Sequence, residues 1–103
     1  MFLSTTETVP GKEFAVLNVV KGSTVQTVNV FRDIGAGLKT LVGGELKKYN
    51  EMMDKARSLA TSRMVEEAEA IGADAIIGMR YATASIVQGA AEVMAYGTAV
   101  KFT

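Results

Sequence analysis

The sequence predicts an α+β subunit: a long helix packed on a small antiparallel sheet, with more apolar surface than one copy can bury. Three observations predict it. Apolar side chains recur at helical spacing from residue 45 to residue 71. Two nearly uncharged segments, 73–87 and 90–103, read as paired strands. Hydrophobic residues make up 49% of only 103 residues, with no stretch that reads as a membrane span. A chain of this length is one domain, residues 1–103, and small domains leave much of their surface exposed. Burial between copies is the natural outlet for the excess.

The elements follow in order. Met1-Phe2-Leu3 leads at once into Ser4-Thr5-Thr6-Glu7, without the basic start and long apolar run of a signal peptide. A cytoplasmic location is the expectation. Pro10-Gly11 signals a turn. Residues 13–20, EFAVLNVV, form a strand; Lys21-Gly22 reads as a turn, after which TVQTV resumes the extended pattern. Phe31, Ile34, Leu38, Leu41 and Val42 are spaced for a short helix that ends at Gly43-Gly44. The long helix carries the stripe Leu46, Tyr49, Met52, Met53, Ala56, Leu59, Ala60, Met64, Ala68 and Ile71, and Gly72 stops it. It spans roughly 40 Å at 1.5 Å per residue. Gln88-Gly89 turns the last two strands into an antiparallel hairpin. From Ser85 onward only Glu92 and Lys101 are charged. Such strands lack the alternation of a half-exposed sheet, so both faces are expected to be covered, one of them by a second copy. A charge introduced at Ala95 or Ala99 is therefore expected to disrupt assembly.

Composition excludes several functions. Eleven basic and eleven acidic residues give no net charge, which argues against nucleic acid and membrane surfaces as partners. There is no cysteine and no histidine. Thiolate and imidazole nucleophiles, bases and zinc ligands are absent, so no catalytic residue, metal ligand or cofactor is assigned. Glu66, Glu67 and Glu69 read as a solvated face. Met52, Met53 and Met64 lie on the apolar stripe, where core packing outweighs thioether coordination.

The glycine-rich stretch NVFRDIGAGLKTLVGGE, residues 29–45, is the candidate site. It is not a P-loop: Leu38 precedes Lys39-Thr40, and Asp33 stands where the first glycine is required. The dinucleotide fingerprint also fails, because Thr40 occupies its third glycine position. Gly35 and Gly37 read as places where backbones pack closely. Gly43-Gly44 precede the long helix, whose free N–H groups and dipole favour an anion. The candidate ligand-binding residues are Arg32, Asp33, Lys39, Gly43, Gly44 and Tyr49. A rival reading makes Arg32, Asp33, Lys39 and Tyr49 an active site for a small phosphorylated metabolite. A third is a metal-binding protein.

Taken together, STTETVPGKEF, the stretch at 29–45, Tyr49, ARSLA, EAIGADAIIGMRY and GTAVKF resemble the YbjQ-like proteins of bacteria and archaea, in order and over essentially the whole chain. The resemblance implies a dodecin-like or YbjQ-like subunit, with a long helix on an antiparallel sheet, assembling into a ring-shaped homopentamer. It implies no defined activity. The family carries a heavy-metal-binding label, which this sequence supports poorly. Met79-Arg80-Tyr81-Ala82-Thr83 stand where relatives often have acidic residues, which removes candidate ligands. Glu45-Leu46 stand where relatives often have Arg-Ser after the double glycine, which sets a negative charge beside the anion site.

Overall fold

A computed structural model describes residues 1–27, 44–87 and 90–103. Phe2–Leu3 form β1, Phe14–Thr27 form β2, Gly44–Ala70 form α1, Ala75–Val87 form β3 and Ala90–Phe102 form β4. The sheet order is β1-β3-β4-β2. β3 and β4 make the expected antiparallel hairpin, and β4 pairs antiparallel with β2 along nearly its whole length. The expected short helix near residues 31–42 and the Gln88-Gly89 turn lie outside the described residues.

Two expectations are corrected. The sheet is mixed, because β1 runs parallel to β3, with Phe2 opposite Ala75 and Leu3 opposite Ile76. And Lys21-Gly22 is no turn: β2 continues through it. Glycine is needed there for a different reason. A Cβ on Gly22 would collide with the Met64 nitrogen and the Ala60 oxygen, and would stand 2.7 Å from the Arg63 carbonyl carbon. The side chain is omitted so that α1 can lie directly on the strand.

Helix α1 ends as the sequence predicts. Gly72 takes φ +78°. Its N–H donates to the Glu69 carbonyl at 3.0 Å, and the Ala73 N–H donates to the Ala68 carbonyl at 3.1 Å. This is the left-handed glycine cap that satisfies the last helical carbonyls. Asp74 then anchors the next strand. Its N–H donates to the Val100 carbonyl, and its Oδ2 accepts the Phe102 N–H, both at 2.8 Å.

The core lies between α1 and one face of the sheet. Ala56, Ala60, Met64 and Ala68, spaced by four, pack on Val20, Ile76, Met79, Val93, Ala95 and Ala99. Small alanines bring the helix close, and Met64 fills the gap with a flexible side chain. Leu59 and Ile71, placed on the same stripe by periodicity, are exposed. Ala95 and Ala99 are fully buried against the helix. They are core positions, so a charge there would break the subunit rather than report on assembly.

Among the described residues, the opposite face of the sheet is covered at one end only. There Val9, Phe14 and Phe102 pack over Ala75, Ile77 and Val100. Farther along the same face, Val19 is 65% exposed, Val25 48% and Tyr96 38%. The register places Val19 opposite Thr98, Lys21 opposite Tyr96, and Val25 opposite Glu92 on this uncovered surface.

Candidate functional site

Of the six residues predicted to bind a ligand, Arg32, Asp33, Lys39 and Gly43 lie outside the described residues. Gly44 is the first residue of α1, and Tyr49 falls within the same helix. The N-terminal half of that helix borders a cavity of about 220 Å³, lined by Gln26, Met53, Thr83, Ala84, Ser85, Ala91 and Val93. Met53 stands one helical turn beyond Tyr49.

Strand register builds this cavity. Ser85 and Gln26 both lie opposite Ala91, so β3, β4 and β2 present them side by side. Thr83 and Thr24 flank Val93 in the next row of the same face. The result is an amide and two hydroxyls set among a thioether and small aliphatic groups. Among the described residues its lining holds no charged side chain. It suits a neutral group that exchanges hydrogen bonds at one end and packs at the other. The anion site expected at Gly43-Gly44 involves Arg32, Lys39 and Gly43, which lie outside the described residues.

Sequence reasoning missed Gln26, Thr83 and Ser85, which belong to no motif. The available signal was parity: each lies on the helix-facing side of its strand, two residues on from another position of that side.

A second, more open groove of about 450 Å³ runs beside the helix, lined by Asp54, Arg57, Ser58, Thr61 and Tyr81. Arg57 is ion-paired with Asp54. The Thr61 hydroxyl donates to the Arg57 carbonyl at 2.8 Å, which leaves the Tyr81 hydroxyl to donate to Thr61 Oγ1 at 2.7 Å. Asp54 and Arg57 serve each other, and the Thr61–Tyr81 bond ties β3 to α1.

The residues do not suit a soft heavy metal. Such ions select thiolate, imidazole or thioether donors. The sequence has neither cysteine nor histidine. Met64 and Met79 are buried in the hydrophobic core. Among the described residues no three carboxylates group together.

Comparison with known proteins places the chain. Residues 1–103 match a family model, YbjQ, described as "Putative heavy-metal-binding". A UPF0145 protein of Clostridium novyi is 61% identical over 101 residues, covering 98% of each chain. A UPF0145 protein of Thermus thermophilus is 57% identical over 102 residues, covering 98% of this chain and 90% of that one. A crystal structure of a protein with unknown function from Pediococcus pentosaceus, of the DUF74 family, shares the fold: TM-score 0.70 at 22% identity, over 100% of this chain and 98% of that one. With its full length matched by the family model and more than half of its residues shared with these relatives, the chain belongs to the YbjQ family of UPF0145 proteins.

Proposed function

We propose that this protein is a self-assembling, non-enzymatic binding subunit of the cytoplasm, which closes into a ring and holds a small ligand near α1. One observation carries the reading: among the described residues this face of the sheet is uncovered, and Val19, Val25 and Tyr96 stand exposed there beside Ala82 and Ala84. Apolar side chains aligned on one flat face gain most by burial against a matching surface. Five subunits is the number implied by the family resemblance. Among the described residues the lining of the cavity beside Met53 carries no charge, which supports a neutral small molecule as the ligand.

Native mass spectrometry of gently purified protein, compared with the same sample after denaturation, tests both parts. A closed oligomer with added mass supports assembly and ligand. A closed oligomer without added mass leaves assembly standing and removes the ligand. A monomer at micromolar concentration overturns the reading.

A further inference from the structure

Among the described residues β2 has a strand partner on one side only, β4. Its other side is a long row of backbone groups of the kind that recruits strands from other chains. Two of these groups are already taken by side chains. The Arg63 guanidinium donates from Nη1 to the Ser23 carbonyl at 2.6 Å. The Val19 N–H donates to the Asn18 side-chain oxygen at 2.8 Å, where the register shifts between Val16 and Asn18. In a strand the N–H and C=O of one residue point to the same side, and that side alternates along the chain. Val19 and Ser23 therefore share a side with Lys21 and Val25, and this is the side away from β4.

We infer that Arg63 and Asn18 are edge guards, which occupy the outward backbone groups of β2 and keep a second copy of this chain from adding a strand along residues 19–23. Gly22 makes the guard possible. Only its missing side chain lets α1 approach closely enough for Arg63 to reach around the strand to Ser23. Charge adds to the effect, because an incoming strand would have to displace a guanidinium and pass beside Lys21, and exposed lysines are themselves a common device on strand edges. The inference concerns which surface associates, and it holds whether or not the protein forms a ring.

The test compares Arg63→Met, Arg63→Lys and Asn18→Ala with the parent, by light scattering over a concentration series and by thermal melting. Methionine keeps the length and packing of the arginine stem and removes its donors. Lysine retains a donor. The expected result is concentration-dependent growth beyond the parent's mass for Arg63→Met and for Asn18→Ala, each with a melting temperature near the parent's, and parent-like behaviour for Arg63→Lys. If Arg63→Met folds poorly, Asn18→Ala carries the test alone. Parent-like association of the folded variants overturns the inference. A monomeric parent defeats the ring reading, yet the guards are still tested by whether their removal starts association.

Discussion

Gly22 of β2 lies against the peptide that joins Arg63 to Met64 in α1. A Cβ at Gly22 would meet only backbone atoms of α1, so the helix lies directly on the strand at this point. Gly22→Ala inserts a methyl group where only backbone atoms can yield. It should destabilise the subunit by about 1–3 kcal/mol or more, as overpacking does. Denaturant unfolding measures this, and a parent-like midpoint would show that α1 shifts freely on the sheet.

Asp74 joins the end of β4 to the start of β3 by accepting the Phe102 N–H. Asp74→Ala removes that acceptor and should cost about 1 kcal/mol, in the ordinary range for such a bond. Asp74→Asn keeps an acceptor and should recover most of the loss. Equal losses in the two variants would assign the effect to something other than the hydrogen bond.

Tyr81 and Thr61 link β3 to the helix through their hydroxyls. Because Tyr81 is largely exposed, Tyr81→Phe should cost only about 0.5 kcal/mol, the lower end for a hydrogen bond that water can replace. The melting temperature should fall slightly, and native mass spectrometry should give an unchanged assembly.

Val19 separates assembly from subunit stability. It is 65% exposed in the subunit, so Val19→Asp should change the stability of one copy by no more than about 0.5 kcal/mol. If the subunit assembles through this face as proposed, native mass spectrometry of the same variant should show the monomer in place of the oligomer. A fully assembled Val19→Asp protein would move the interface away from this face.

Zinc and copper ions provide a further check. A ligand of the native state raises its stability, and this chain has no thiolate or imidazole donor. Thermal melting in the presence of either ion should match melting in its absence. A clear rise in melting temperature would show a site that the thiolate-free, imidazole-free composition does not suggest.

The parts of the fold legible in the sequence were those whose signal is local. Helix α1 announces itself by the spacing of Ala56, Ala60, Met64 and Ala68, and by Gly72 as its stop. The hairpin of β3 and β4 shows in two long runs with few charges. β1 was illegible, because two residues have no period and their partners Ala75 and Ile76 are distant in sequence. Lys21-Gly22 misled because a glycine that admits a helix looks, in one dimension, like a glycine that makes a turn. The cavity was hidden for a third reason: Gln26, Thr83 and Ser85 come together only through the register of three strands. The uncovered face was half legible. Uncharged strands pointed to burial on both sides, but only the register shows that Ala95 and Ala99 face the helix while Val19 and Val25 face outward.

The parallel pairing of Phe2 with Ala75 also dictates an order of events during synthesis. At 5–20 residues per second, the ribosome needs roughly 4–15 seconds to deliver Ala75 after Phe2. β2 must likewise wait for β4. Late in that interval the helix can form from local contacts while β1 still lacks its partner, and the sheet is completed only when the last hairpin arrives to join its two outer members.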